Sequence, residues 1–262
     1  MKKIYLLLFT GFLGFAVNAQ MKFGTAYSLS VPQGEMGNNI RPVHSLNLSF
    51  LTPIKGVCNR FSIGAEIGLG NYAYETKEQD LRFSDGTGMR TDVIYASNVF
   101  NAAALMRVNL LGKGKAIPYI NAKGGLSHFF SNITVEDPTD PSDCEVLERK
   151  SILKDNTFFA AYGGGVQLDL SLLSKKQEAG KYMIDISVNK IKGGRLNYIN
   201  TKNIQSAAHT DPNNPPSTGK GEPLNVQFIN INTRVIHEHQ VAELYNSPLR
   251  MLDIRIGMLF TL

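Results

Sequence analysis

Tryptophan is absent from the 262-residue sequence, and cysteine occurs only twice, at Cys58 and Cys144. Beyond residue 20, no uncharged apolar run approaches the roughly 20 residues that a membrane-spanning helix needs, so a helical membrane protein is excluded. The net charge of +5 is too small to indicate nucleic acid as a partner. Because no Gly-x-Ser-x-Gly motif or cofactor-binding motif is present, we expect neither an enzyme nor a cofactor requirement.

The amino terminus has the features of an export signal. Lys2 and Lys3 precede an apolar run from Ile4 to Phe15, and the small residues that follow suit cleavage after Ala19. An uncleaved anchor is the alternative, but the run is shorter than the roughly 20 residues that span a bilayer. We therefore predict a signal peptide at 1–19 and a mature barrel domain at 20–262, with a net charge of +3 once both lysines are removed.

The rest of the chain is dominated by the alternation of apolar with small or polar residues. Every second residue is apolar from Phe61 to Leu69, and the same period of two returns from Leu252 to Leu262. A soluble sandwich could bury such faces, but segments of roughly ten alternating residues behind an export signal favour a transmembrane β-barrel. Such a barrel must be closed, because an open sheet edge would leave backbone groups unpaired in hydrocarbon.

Eight such segments can be counted, and the lengths of their connections alternate. We predict strands at 21–31, 43–51, 60–74, 93–111, 117–132, 157–172, 181–198 and 249–262. The turns 52–59, 112–116 and 173–180 are short, whereas the segments 32–42, 75–92, 133–156 and 199–248 are long. Outer-membrane barrels have short periplasmic turns and longer external loops. The predicted fold is therefore all-β, a closed antiparallel transmembrane β-barrel of eight strands with long extracellular loops, in the outer membrane of a Gram-negative cell.

The segment 199–248, nearly fifty residues long, is too long for structureless filler in a compact domain. An extracellular hairpin, a loop packed over the barrel mouth and an extra strand pair making ten strands are the alternatives. We favour eight strands with an ordered lid. Exposed loops are where recognition commonly resides, so a surface or extracellular partner is expected to bind this segment.

The predicted interior carries four charges of each sign. An unpaired buried charge costs several kcal/mol, so balanced charges suit a crowded lumen. Eight strands leave an interior only just wide enough for side chains to fill, which predicts a barrel without a continuous pore; a small porin or transporter is the alternative. The predicted lumen charge network consists of Lys22, Glu66, Arg107, Lys123, Asp169, Asp185, Asp253 and Arg255.

The two cysteines are expected to lie at opposite ends of this barrel. Cys58 falls in the first short turn and Cys144 in the third long loop. The apolar band of a barrel is about 25 Å tall. A disulfide needs Cα atoms within about 7 Å, so we predict two free thiols.

The histidines provide little support for catalysis or metal binding. His44 and His128 lie near predicted strand ends, His209 lies in a Pro- and Asn-rich loop, and no orienting acid completes a triad with them. His237 and His239 are weak metal candidates, because two imidazoles at i and i+2 share a face only on a strand. Two nitrogen donors do not make a site, so no metal is assigned.

Aromatic residues gather near the predicted strand ends. Two rings of aromatic residues at the bilayer interfaces would have this distribution. The residues towards the short-turn rim are Phe50, Phe61, Tyr119, Tyr182 and Phe260, and those towards the other rim are Tyr27, Tyr72, Tyr74, Tyr95, Phe158 and Tyr198.

Several short runs resemble those of small outer-membrane β-barrels of the Bacteroidetes type, a group similar to the OmpA and OmpX barrels. They are Met106 to Leu111, Ile117-Pro118-Tyr119, Lys192 to Tyr198 and Ile254 to Phe260. The resemblance implies outer-membrane lipid as surroundings and insertion by the barrel-assembly machinery. The long loops and the filled lumen favour a structural or surface-recognition barrel. The resemblance adds a secretion-associated barrel as an alternative, and a lipid-modifying barrel enzyme is a weaker one.

Overall fold

A computed structural model describes residues 21–54, 60–82, 88–112, 114–136, 146–172, 180–202, 221–229 and 236–262. Within these ranges only the backbone is described for 78–82, 88–89, 136, 146–148, 172, 225–229 and 236–241. The predicted signal peptide and its cleavage site lie outside the described residues.

The described chain is almost entirely β-strand. The strands are β1 (Lys22–Pro32), β2 (Val43–Pro53), β3 (Phe61–Arg82), β4 (Gly88–Asn109), β5 (Ala116–Glu136), β6 (Val146–Asp169), β7 (Tyr182–Ile199), β8 (Glu222–Ile229) and β9 (Ile236–Thr261). A short helix, α1 (Glu35–Asn39), follows β1, and a 3-10 turn (Leu170–Leu172) follows β6.

Eight antiparallel strands close into a barrel. Each strand from β1 to β6 pairs with the strand that follows it, β7 pairs with β9, and β9 returns to β1. At the seam Lys22 opposes Thr261 and Pro32 opposes Met251, so the first and last strands are paired along their whole shared length. Closure satisfies the backbone groups that an open edge would expose to lipid. The predicted closed eight-stranded fold is confirmed.

The outer wall of the barrel is apolar. The predicted lipid-facing side chains Ile63, Ile67, Ile254 and Ile256 all point outward and are 39% to 55% exposed. Their polar neighbours along the strands point inward, as the period of two requires. Because large apolar side chains cover the middle of the wall, the barrel spans a bilayer and hydrocarbon covers this apolar belt.

No helix in the described part of the chain is long and apolar enough to cross a membrane.

Several strands continue well past the ends predicted for them. β9 begins at Ile236 instead of 249, and β6 begins at Val146 instead of 157. The extended ends enclose a second apolar cluster whose packing stabilises them. Its buried residues are Val93, Tyr95, Ile133, Val135, Ile199 and Ala242.

From residue 221 onward, the described part of segment 199–248 forms a hairpin, one of the three predicted alternatives, and not the favoured lid. β8 pairs with the first third of β9, from Glu222 opposite Leu244 to Ile229 opposite Ile236, and makes a hairpin. The mouth is covered instead by α1, whose Met36 is fully buried, with Ile40 just after it 1% exposed. Both side chains pack in one cluster with Phe129.

The end of β7 holds this covering segment in place. The backbone N–H groups of Thr201 and Lys202 donate to the Asn39 carbonyl oxygen at 2.9 and 3.2 Å. An ion pair between Arg41 and Glu75 ties the same segment to β3. Residues from three different parts of the chain therefore close the mouth.

Four tyrosines predicted for the interfacial rings face the interior instead. Tyr72, Tyr95, Tyr119 and Tyr198 are at most 2% exposed. A register shift between Asn71 and Ala73 accompanies the inward position of Tyr72, because a bulge changes which face later residues occupy. The hydroxyl groups of Tyr72, Tyr119 and Tyr198 have hydrogen-bond partners inside the barrel, as at Tyr198, whose oxygen lies 2.9 Å from Ser247 Oγ.

Candidate functional site

Glu66 on β3 is the centre of the largest charge cluster inside the barrel. Lys123 Nζ on β5 donates to its two carboxylate oxygens at 2.9 and 3.1 Å. Arg255 Nη1 on β9 donates to Glu66 Oε2 at 2.7 Å. Strand alternation places all three side chains inward, and closure of the barrel brings β9 close to β3 and β5.

A second carboxylate extends this cluster towards the mouth. Asp253 Oδ2 lies 3.8 Å from Arg255 Nε, and Ser30 Oγ donates to Asp253 Oδ1 at 2.7 Å. Asp253 therefore balances a cation that it shares with Glu66. The buried charges are paired and hydrogen-bonded, which offsets the cost of removing them from water.

A separate cluster lies closer to the short-turn end. Arg107 Nη2 is 2.9 Å from Asp185 Oδ2, and Tyr119 donates its hydroxyl hydrogen to Asp185 Oδ1 at 2.5 Å. The Arg107 guanidinium also stacks over the Tyr119 ring at 4.0 Å from the centroid. An apolar layer formed by Ile117, Met183 and Leu259 is buried at the same end.

Neither of the two remaining residues of the predicted network forms a salt bridge with these clusters, although Lys22 lies within electrostatic range of Arg107 and Asp185. Lys22 Nζ donates to Gln167 Oε1 at 3.5 Å. Asp169 accepts backbone N–H bonds from Ser171 at 2.9 Å and Gly180 at 2.7 Å, at the turn between β6 and β7. The structure thus brings six of the eight predicted residues into two ion-paired groups and leaves the other two without a salt bridge to either group.

Small polar side chains line the space between the Glu66 cluster and the apolar mouth. Asn47 donates to Ser28 Oγ at 2.9 Å, and Ser127 donates to Asn101 Oδ1 at 2.6 Å. A cavity of about 40 Å³ lies among them, and another of about 10 Å³ lies near Arg107. Volumes of this size suit water molecules and not an organic substrate.

The described histidines do not face the lumen. His44 Nδ1 lies 2.5 Å from the Tyr27 hydroxyl oxygen, and His128 Nδ1 lies 2.6 Å from Asn156 Oδ1, both on the outer wall. A nucleophile needs an adjacent base, and these bases are separated from the buried serines by the sheet. His209 lies outside the described residues.

His237 and His239 both belong to strand β9, opposite Phe228 and Val226. An extended backbone turns residues i and i+2 to the same face, which is the arrangement a shared metal would need. Their side chains are not among those described. Within the described residues, no group of three or more His, Cys, Asp or Glu side chains could hold a metal ion.

Sequence reasoning missed the residues that complete the lumen. Tyr119 was predicted for an interfacial ring. Met36 and Ile40 lie outside any alternating segment, so no sequence pattern could place them inside the barrel. Alternation along the strand does place Tyr119 two residues from Asn121 and four from Lys123, so its inward position could have been found from that signal.

No protein-family model matches the sequence, and no curated protein matches it at a significant level. Solved structures with a similar fold include Neisserial surface protein A (8% identity, TM-score 0.39, covering 93% of this chain and 97% of that one). The attachment invasion locus protein Ail of Yersinia pestis matches at 11% identity and TM-score 0.33, over 93% and 97%. The N-terminal barrel domain of Pseudomonas aeruginosa OprF matches at 9% and 0.31, over 93% and 100%. At these values the likenesses carry no argument about function, and the Bacteroidetes resemblance stays a prediction.

Proposed function

We propose that this chain is an integral outer-membrane β-barrel that does not conduct solutes and acts as a structural or surface-recognition protein through its external end. The observation that carries the proposal is obstruction of the lumen at three successive levels. These are the apolar cluster under α1, the ion-paired cluster around Glu66, and the layer of Ile117, Met183 and Leu259.

The end opposite the short turns supports the recognition role. β3 to β6 and the β8–β9 hairpin extend past the apolar belt, and the buried cluster around Tyr95 and Ile133 stabilises their packing. A platform held by its own core can present loops in a defined arrangement. The described parts of segment 199–248 lie at this end, and the segment is the proposed contact for an extracellular or surface partner.

The alternatives have less support. A small porin or transporter would need a passage through the three levels, and a lipid-modifying enzyme would need a base beside a nucleophile. Nothing in the described geometry selects a role in secretion. Insertion by the barrel-assembly machinery is part of the proposal, since β9 ends the barrel with Phe260 on its outer face.

Conductance tests the closed lumen. Purified folded monomer is reconstituted in planar bilayers beside a sixteen-stranded porin, whose aqueous channel gives the positive signal. We expect no steps in the nanosiemens range from this protein. Reproducible steps of that size from the monomer would overturn the closed lumen and favour the porin alternative.

Surface labelling tests the orientation of the barrel. In a background with Cys58→Ser and Cys144→Ser, Glu222→Cys places a thiol at the start of β8, and Lys115→Cys places one at the short-turn rim. Both positions are exposed. A membrane-impermeant maleimide added to intact cells should label the first variant and spare the second. The reverse pattern would contradict the proposed orientation.

A further inference from the structure

Four exposed cations lie close together on the outer wall, on β7 and β9. Lys190 and Lys192 on β7 and Arg250 on β9 are all exposed on the outward face. Arg195, also exposed, follows them towards the external end of β7. Along the outward face of β1, β2 and β5 the sequence places no lysine or arginine, and exposed cations of β4 and β6, among them Arg90 and Lys154, lie further towards the external end. We call Lys190, Lys192, Arg195 and Arg250 the basic patch.

The register brings two of these cations face to face. Lys192 lies directly opposite Arg250 in the β7–β9 ladder. Directly opposed residues of an antiparallel pair have Cα atoms about 4.5 to 5.5 Å apart, and like charges at such positions are destabilising. An anion held between the two side chains would convert this repulsion into attraction.

The protein itself supplies no carboxylate to the centre of the patch. Among the residues that the structure describes, no ion pair within 4.0 Å involves Lys190, Lys192 or Arg250. Arg195 is engaged differently, since its Nε donates to Asn246 Oδ1 at 2.7 Å. The neighbouring Asn246 brings no negative charge, so the patch keeps its net positive charge.

The patch is continuous with the apolar belt below it. Lys190 lies opposite Leu252 on one side and Tyr162 on the other, and both of these side chains are exposed on the outer wall. Val188 continues the outward face of β7 below Lys190. Aromatic residues and cations at this height are typical of the level of lipid head groups.

We propose that the basic patch binds the head group of an anionic lipid that carries phosphate groups, in the leaflet facing the long-loop end. Lys192 and Arg250 hold one phosphate between them, and Arg can contact its oxygens through two parallel hydrogen bonds. Lys190 and Arg195 flank that site along the strand. The acyl chains lie against Leu252, Val188 and Tyr162, which a soluble anion would leave uncovered.

Native mass spectrometry of the detergent-solubilised full chain tests this inference. The probes are diphosphoryl lipid A, phosphatidylcholine and inorganic phosphate. Wild type should retain lipid A in preference to phosphatidylcholine. The double variant Lys192→Gln/Arg250→Gln should bind lipid A about 30-fold more weakly, since each cation near an anionic membrane surface contributes about 1 kcal/mol. Lys190→Gln alone should weaken binding about fivefold.

Lys115→Gln, which removes the same charge at the short-turn rim, is the matched control and should bind lipid A as wild type does. Without lipid, the double variant should unfold at the same or a higher denaturant concentration than wild type, because it loses a repulsive pair. Three results would each overturn the lipid site. The double variant could retain as much lipid A as wild type, wild type could retain phosphatidylcholine as well as lipid A, or the lipid-free double variant could be less stable than wild type.

The inference rests on the membrane-spanning barrel of the proposed function, and the two can fail separately. A barrel that is folded in detergent migrates differently on a gel before and after heating. If wild type migrates in the same way before and after heating, the membrane-spanning barrel is contradicted. If wild type shows the difference in migration but does not prefer lipid A, the barrel stands and only the lipid site at the basic patch is contradicted. Displacement of lipid A by an equal concentration of inorganic phosphate would show a phosphate site without lipid specificity and would also overturn it.

Discussion

At the scale of single residues, Glu66 is the side chain on which the interior charges most depend. Its carboxylate is shared by Lys123 and Arg255, so neutralising it leaves two buried cations with less compensation. We expect Glu66→Gln to destabilise the barrel by about 3 to 5 kcal/mol, the usual cost of removing one partner of a buried pair. Urea unfolding followed by gel migration measures the change, and Glu222→Gln at an exposed position is the matched control. Equal loss in both variants would contradict the role of Glu66.

Asp169 predicts a dependence of stability on pH. The backbone N–H groups of Ser171 and then Gly180 donate to its carboxylate and hold the pKa of Asp169 below its usual value. Because the folded-state pKa is the lower one, this contribution is complete above the pKa of the unfolded chain and is lost as the pH falls through the folded pKa. Asp169→Asn should therefore reduce the difference in urea midpoint between about pH 7 and about pH 3. The same difference in variant and wild type would refute the expectation.

At the scale of elements, neighbouring strands approach so closely that some positions require glycine. A Cβ atom on Gly165 of β6 would lie 2.6 Å from the Tyr119 hydroxyl oxygen and closer still to the Ile186 carbonyl oxygen. Gly165 thus provides the space in which Tyr119 reaches Asp185.

We expect Gly165→Ala to destabilise the barrel by about 1 to 3 kcal/mol, as overpacking of a filled interior does. Gly124→Ala is the matched control, because a Cβ atom there would have no heavy atom within 4 Å. Urea unfolding of the two variants makes the comparison. If Gly124→Ala costs as much as Gly165→Ala, close packing around Tyr119 is not the cause.

Strand ends show what alternation along a strand can predict. The predicted strand 43–51 agrees with β2 to within two residues, because its polar and apolar faces differ over its whole length. The start of β6 at Val146 was missed, since Val146 to Asn156 is rich in charged residues and carries no lipid-facing pattern. Pairing with β5 and packing over Ile133 make that segment a strand, and neither is visible in local sequence.

At the scale of the whole molecule, the topology bears on the cysteines, which lie outside the described residues. The described residues beside Cys58, Ile54 and Arg60, lie at the short-turn end, whereas Glu136 and Val146, which flank the segment holding Cys144, pair at the opposite end. We therefore expect two free thiols in each molecule. Maleimide labelling of denatured, unreduced protein should add two labels by mass. Zero labels, with the two cysteines linked in a peptide map, would contradict the topology.

The sequence by itself determined the strand type, the number of barrel strands and the inward or outward position of most barrel-wall residues, because a period of two with unlike faces allows one register. It also placed eight charges on the inward face. Only the tertiary structure decided which of those charges pair, since Glu66 meets Lys123 and Arg255 across the lumen from strands distant in sequence. It likewise decided that Met36 and Ile40 close the mouth and that Lys192 faces Arg250. Such contacts depend on barrel closure and strand register, which no local pattern encodes.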